Sequence, residues 1–236
     1  MWQYKEYRIE NLGGRVEVCV SNEHTFGTDA FLLSSFAAPK KKEIACDLGC
    51  GCGIIPLLWF RDSAASPSFV YLVDIQDQAV ELSRISAQRS GLVDRVSIIQ
   101  ADLKILKSLP KGNVDLVTCN PPYKAKGTGV ASRAESDLIA RHEMACGIDD
   151  VCACASRLLR FGGRLCLCCL PERLPDVMHS MRRNKIEPKR LRFVHHKSDT
   201  PPWLFLIEGR LGGGVFLNIE APLIMSSNDG MRIYGE

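Results

Sequence analysis

The chain has 236 residues, 46% hydrophobic, 24% charged and 7% aromatic, the composition of an ordinary globular protein, which excludes a disordered or fibrous chain. That length lets one scaffold bury a full core, so a single domain is expected, with an N-terminal hairpin and capping helix over 1–38, a core over 39–222 and a tail over 223–236. The net charge is only +3, and with no apolar run of about 18 residues and no charged-then-apolar leader the expectation is a cytoplasmic protein without a membrane partner.

In chain order, Arg8–Glu10 and Arg15–Val20 flank Leu12-Gly13-Gly14, a sequence suited to a hairpin turn that caps the sheet. From residue 44 onward, apolar runs and breakers alternate as strand, helix, strand, helix. Strands are expected at Ile44–Leu48, Phe69–Asp74, Arg95–Gln100, Val114–Cys119 and Gly163–Leu170. Helices are expected at Ile54–Phe60 and Gln78–Ser90, with a short one within Leu103–Leu109 and a long one from Glu135 to Leu159. A last helix near Glu172–Asn184 precedes two extended runs, Leu191–His196 and Trp203–Glu208, suited to a closing antiparallel pair. Serial βα units predict a parallel sheet with helices on both faces.

The chain has eleven cysteines, an odd number without a secretory leader, so reduced thiols are expected rather than a disulfide framework. Cys166 and Cys168 alternate along a strand-like run, where free cysteine serves as a small buried hydrophobe. Cys166 and Cys169 have zinc-ligand spacing, but no matching second pair follows, and no metal is expected.

Asp47-Leu48-Gly49-Cys50-Gly51-Cys52-Gly53 sits between a strand-like and a helix-like run, where three glycines let the backbone approach a nucleotide-like cofactor. The nicotinamide fingerprint G-x-G-x-x-G needs glycine where Ile54 or Pro56 stands, so both registers fail. What remains, D-x-G-x-G-x-G, resembles the first motif of class I S-adenosylmethionine-dependent methyltransferases. Asp74 closes the next strand, where an acid can accept both ribose hydroxyls of an adenosyl group, and Asp102, after the following strand, can accept from the adenine amine. Asp47 can meet the cofactor's ammonium, directly or through water. Each acid alone also suits a strand end or helix cap, whereas together they suit a cationic sulfonium cofactor. Ile75 and Leu103, next to two of these acids, join Gly49, Gly51, Gly53 and Asn120 in the candidate cofactor set, while Cys50 and Cys52 read as small spacers.

Asn120-Pro121-Pro122-Tyr123 follows the fourth strand and is the most specific signal in the chain. It resembles the amino-methyltransferase motif of enzymes that methylate an exocyclic amine of adenine or cytosine, or a glutamine side-chain amide. The lone pair of such a nitrogen is delocalised, so it is a poor nucleophile. The Asn120 side-chain oxygen and the Pro121 carbonyl can each accept an N–H, localising the lone pair and aiming it at the methyl carbon. Pro121 and Pro122 add rigidity without a competing N–H. Tyr123 can stack on an extruded base, an interaction worth about 1–3 kcal/mol.

Between Arg157 and Lys197, eleven Lys/Arg accompany three acids, a local net of +8 that leaves −5 for the rest. Such a segment is a candidate phosphate-binding face, and part of it also reads as a solvated helix end.

Together these motifs resemble a bacterial family, the methyltransferases that modify N6 of adenine 37 in a valine tRNA, from about Ile9 to Pro222. The likeness is also carried by Phe26-Gly27-Thr28-Asp29-Ala30-Phe31-Leu32-Leu33, by Gly53–Leu58, by Ile139-Ala140-Arg141-His142-Glu143 and by Pro188–His195. It implies a Rossmann-like class I methyltransferase fold, α/β with a mostly parallel seven-stranded sheet, S-adenosylmethionine as cofactor and tRNA as partner, its target adenine in the anticodon loop. It also implies Thr28 as a contact to the methionine end of the cofactor. Relatives that methylate a release-factor glutamine or a guanine amine of rRNA share this layout, so a protein glutamine-amide or rRNA guanine methyltransferase is the alternative. The loop Lys124–Val130 can order over bound RNA, and His142 reads as structural.

Overall fold

The computed structural model describes residues 7–61, 66–109, 111–121 and 147–226. Tyr7–Gly13 (β1) and Val16–Ser21 (β2) pair antiparallel as the expected hairpin, apart from the main sheet. Thr28–Ala37 (α1) follows, then Ile44–Leu48 (β3), Ile54–Trp59 (α2), Phe69–Asp74 (β4), Asp77–Arg89 (α3), Val96–Gln100 (β5) and Val114–Cys119 (β6). Ile148–Leu158 (α4), Leu159–Cys169 (β7), Leu174–Arg183 (α5), Ile186–His195 (β8) and Pro202–Leu211 (β9) complete the core, with two-residue pieces Asn218–Ile219 (β10) and Leu223–Ile224 (β11).

The hairpin is fastened through its backbone. Glu17 N–H donates to Ser90 Oγ at 2.9 Å and Cys19 N–H to Ser86 Oγ at 2.8 Å, so β2 meets hydroxyls at the end of α3 instead of another strand. Val16, Val18 and Val20 are buried beneath it, and the apolar area they withdraw from water holds the hairpin down.

Seven long strands order as β5-β4-β3-β6-β7-β9-β8. The pairs β3–β4, β4–β5, β3–β6 and β6–β7 are parallel, and β9 runs antiparallel to both β7 and β8. The expected seven-stranded, mostly parallel sheet is therefore present, and β10 and β11 lengthen it to nine by pairing with β8. Alternation sorts the core onto two faces. Ala45, Val70, Leu72, Leu116 and Cys166 pack with the hairpin, α1 and α2, whereas Cys46, Val73, Val117, Leu165 and Leu167 pack with α4 and α5. The chain leaves β3 for β4 and β5, then returns to β6 on the other side of β3. That reversal opens a crevice at the carboxyl ends of the strands, the usual ligand position in an open α/β sheet.

The structure departs from the sequence expectations in four places. No helix forms within Leu103–Leu109, which is built of turns. Arg157 explains this, because its guanidinium takes the Leu103 and Leu106 carbonyls, at 3.3 and 3.0 Å, that a helix would need. The helix ending at Leu158 begins at Ile148, since Gly147 is extended and donates its N–H to Asp150 Oδ2 at 2.9 Å; the part of the expected helix before Gly147 lies outside the described residues. β7 starts four residues earlier than Gly163, with a register shift opposite Val114 and Leu116. Leu223–Ile224, expected in the tail, is instead paired to β8.

Ten of the eleven cysteines lie among the described residues, all buried as thiols. Among these residues no helix is long and apolar enough to cross a membrane, and no three His, Cys, Asp or Glu side chains are grouped to hold a metal.

Candidate active site

A cavity of about 410 Å³ occupies the crevice, lined by the ends of β3, β4 and β6, the segment after β5, and His24 and Thr25 before α1. The glycine loop forms its floor. Gly49 and Cys50 donate their N–H groups to the Val73 carbonyl at 2.8 and 3.1 Å, which ties the loop across β3 and β4. Gly51 has φ +55°, and a Cβ built on it meets nothing within 4 Å. Gly53, at φ +82°, faces the other way: a Cβ there lies 3.0 Å from Leu72 Cδ2 and 3.1 Å from Ser83 Oγ. Gly49 and Gly51 thus shape the cavity, and Gly53 lets α2 approach the sheet.

The acids occupy different environments. Asp74 lines the cavity and its two oxygens accept backbone N–H groups from Gly51 at 2.9 Å and Gln76 at 3.0 Å, which fixes the carboxylate at the strand end. Asp102 also lines it, accepting from Lys104 N–H at 2.9 Å, with Lys104 Nζ 3.6 Å from its other oxygen. Asp47 does not reach the lining. Its Oδ1 accepts the Thr118 hydroxyl at 2.6 Å, while Oδ2 is buried with no hydrogen-bond partner among the described residues. Burial pushes its carboxyl up to about 7, opposed by the Thr118 bond and reinforced by the nearby Asp74 charge.

Asn120 and Pro121 stand at the end of β6 on the opposite wall. The Asn120 carboxamide is held at both ends, its Nδ2 donating to Asp29 Oδ2 at 2.8 Å and its Oδ1 accepting from Cys168 Sγ at 3.2 Å. Pro122 and Tyr123, with the loop Lys124–Val130 and His142, lie outside the described residues.

The structure therefore brings Gly49, Gly51, Asp74, Ile75, Asp102, Leu103, Asn120 and Pro121 to one cavity, and leaves Thr28, Asp47 and Gly53 off its lining. Thr28 is the first residue of α1. His24, Thr25, Gln76, Ala101, Cys119 and Val151 line the cavity without having been picked out from the sequence. Gln76 follows Asp74 by two residues and Ala101 precedes Asp102 by one, so both were within reach of the same argument; His24 and Thr25 carry no motif. Cys50 and Cys52 are buried spacers, with burial pushing Cys52 up to about 12 and Cys50 well above the usual thiol range, so neither is a nucleophile.

A family model for the methyltransferase small domain matches residues 17–146, more than half of the chain. The chain belongs to that family. The methyltransferase is similar to the tRNA1(Val) (adenine(37)-N6)-methyltransferase of Yersinia enterocolitica, 30% identical over 141 residues, which are 60% of this chain and 55% of that protein. A protein of the same name from Porphyromonas gingivalis is 28% identical over 218 residues, 89% of this chain and 80% of that protein. The chain spans about half the length of the first curated relatives it matches. Among solved structures, a predicted O-methyltransferase from Agrobacterium tumefaciens superposes with a TM-score of 0.69 at 19% identity, over 87% of this chain and 95% of that one. A geranyl diphosphate C-methyltransferase from Streptomyces coelicolor, determined with S-adenosyl-L-homocysteine, gives 0.56 at 14% identity, over 77% of this chain and 78% of that one. These two likenesses show the fold.

The cavity suits S-adenosylmethionine on its own chemistry. Among the described residues its lining contains the carboxylates of Asp74 and Asp102 and no Lys or Arg, so it favours a cationic adenosyl compound over a pyrophosphate-bearing dinucleotide. The open space above Gly51 leaves room for the ligand, and the half-exposed Ile75 offers an apolar surface to a flat ring.

The basic segment is largely matched from within. Arg160 pairs with Asp115, Arg164 with Glu43 and Glu208, Arg182 with Glu187, Arg183 with Asp149, and Arg190 with Glu208 and Glu220. Most of those acids come from outside the segment, so part of its local excess of +8 is offset by the rest of the chain.

Proposed function

We propose that this methyltransferase transfers a methyl group from S-adenosylmethionine to N6 of an adenine in tRNA, adenine 37 of a valine tRNA, and that it works in the cytosol. The observation that carries this reading is the Asn120-Pro121 wall facing the glycine loop across one cavity. It is joined by the names of relatives that match between half and nine-tenths of the chain.

S-adenosylmethionine, when bound, supplies an electrophilic methyl carbon on a sulfonium. Gly49 and Gly51 hold the floor open for it, and Asp74 presents a fixed carboxylate to the ribose hydroxyls. Asp102 and Leu103 take the adenine end beside Ile75, Thr28 approaches the methionine end, and Asp47, behind the lining, meets its ammonium through water. Asn120 Oδ1 keeps a lone pair beyond the one engaged by Cys168, and this accepts one N–H of the target amine while the Pro121 carbonyl accepts the other. Held by two acceptors, the nitrogen pyramidalises with its lone pair directed into the cavity. No base is needed before attack, because the nitrogen becomes acidic only after it carries the new methyl group, and its proton then passes to water. Pro122 and Tyr123 belong to the same motif, with Tyr123 assigned to stack on the extruded base.

The deciding experiment is transfer of labelled methyl from S-adenosylmethionine to an unmodified valine-tRNA transcript, followed by nucleoside digestion and mass spectrometry. N6-methyladenosine is expected. In Asn120→Ala, transfer is expected to fall by at least about a hundredfold with cofactor affinity nearly kept. Label on a protein glutamine or on guanosine of rRNA, with none on tRNA, overturns the substrate; full turnover by Asn120→Ala overturns the mechanism.

A further inference from the structure

An asparagine carboxamide reads almost the same in its two orientations, because rotation of its terminal torsion meets a broad, roughly two-fold potential. For the Asn120 of this site the two orientations are opposite in effect. With Oδ1 toward the cavity it accepts from an amine; with Nδ2 there it presents hydrogens to hydrogens. Something must choose between them.

We propose that Asp29 and Cys168 are positioning residues that fix the sense of the Asn120 carboxamide, Asp29 by accepting only and Cys168 by donating. A carboxylate has no hydrogen to give, so the group 2.8 Å from Asp29 Oδ2 must be the amide NH2. On the other side, the Cys168 thiol 3.2 Å away donates to Oδ1. Reversing the amide would set its oxygen against the carboxylate and lose both bonds. A thiol is a weak donor, so it orients Oδ1 without exhausting its acceptor capacity.

Both residues are rigidly supported, and neither lines the cavity. Asp29 lies in the first turn of α1, where a negative charge suits the helix dipole, and α1 is pinned by buried Leu32, Leu33 and Phe36. Cys168 is fully buried in β7, which runs parallel to β6 with Cys119 opposite Leu167, so the next positions, Asn120 and Cys168, fall side by side. The orientation of one reacting side chain thus draws on three elements, α1, β6 and β7.

This inference rests on Asn120 acting at the methyl-transfer step, and the test separates the two. Methyl transfer to the valine-tRNA transcript is followed in single-turnover experiments at saturating S-adenosylmethionine, with cofactor affinity measured by calorimetry and folding by thermal melting. Asp29→Ala is expected to slow transfer by about ten- to a hundredfold, as misplaced catalytic groups do. The cofactor Kd should stay within about twofold, because Asp29 does not line the cavity. Asp29→Asn, which can accept from Nδ2 but can also donate to a reversed amide, should recover only part of the rate. Cys168→Ala should slow transfer less than Asp29→Ala, and Cys168→Ser should restore it. In an Asn120→Ala background, Asp29→Ala should add no further loss, since there is no amide left to orient. An unchanged rate in Asp29→Ala, or an equal loss with and without Asn120, overturns the proposal while leaving the reaction intact. Full turnover by Asn120→Ala overturns both. If Asp29→Ala fails to fold, Cys168→Ala with and without Asn120→Ala carries the same comparison.

Discussion

Asp47 is a carboxyl with one oxygen satisfied by Thr118 and one left without a partner, in surroundings that push it up to about 7. Its folded value lies above the ordinary carboxyl value of 3.8, so the folded state keeps a proton that the unfolded chain has already lost. Stability therefore declines as pH rises from about 4 to about 7 on account of this group, and the penalty is constant above that. A cationic ligand that reaches Asp47 through water binds more tightly when the carboxyl is ionised. Cofactor affinity should accordingly rise severalfold, up to about tenfold, between pH 6 and pH 7.5, with partial proton release on binding, and Asp47→Asn should remove the slope. Calorimetry in two buffers of different ionisation enthalpy reads both quantities; a flat affinity without proton release makes Asp47 a purely structural acid. The acid was legible in the sequence as a member of the D-x-G-x-G-x-G motif. Its separation from the cavity was not, because burial behind Thr118 depends on which strand lies next to β3. Asp29 shows the same limit more sharply. It was in view within Phe26–Leu33, but its meeting with Asn120 spans 91 positions and follows from packing alone.

At the scale of the element, the three glycines of one motif divide into two tasks. Gly51→Ala finds open space, so its cost to the fold is the left-handed backbone alone, about 1–2 kcal/mol, and its methyl enters the cofactor's volume. Gly53→Ala meets Leu72 and Ser83 in addition to the same backbone strain, so its unfolding free energy should fall further, by about 3 kcal/mol or more. Urea titration with parallel cofactor titration checks the pair: Gly51→Ala is expected to lose affinity before stability, Gly53→Ala stability before affinity. Equal stability losses would show that the loop relaxes. Strands β3, β4 and β6 were readable to the residue because their apolar runs are buried on both faces and end at polar motif residues. The stretch Leu103–Leu109 was misread as a helix for an equally physical reason. Buried Leu106 and Leu109 mimic helical spacing, while Arg157, 51 positions from Leu106, takes the carbonyls.

At the scale of the whole molecule, one group of charges is buried between elements. Arg164 donates to the Ala37 carbonyl at 2.9 Å and to Glu43 at 2.8 Å, and Glu208, buried in β9, lies within 3.4 Å of both Arg164 and Arg190. The network joins the end of α1 to β7, β8 and β9. Glu208→Ala leaves two cations short of a buried partner and should lower the unfolding free energy by about 3 kcal/mol, measured by urea denaturation. A loss under 1 kcal/mol would mean that solvent reaches the arginines. Counting charges along the chain could not reveal this, since Glu43, Asp115 and Glu208 come from outside the basic run they neutralise.

The two holds on the Asn120 amide also set an order in time. Asp29 leaves the ribosome well before Asn120, but Cys168 follows it by 48 residues, about 2–10 s of synthesis at ordinary rates. Until β7 has been made and has docked beside β6, a nascent chain owns the residues of the reaction without the geometry that directs them. An unfinished polypeptide therefore carries Asn120 with one of the two bonds that orient its amide not yet made.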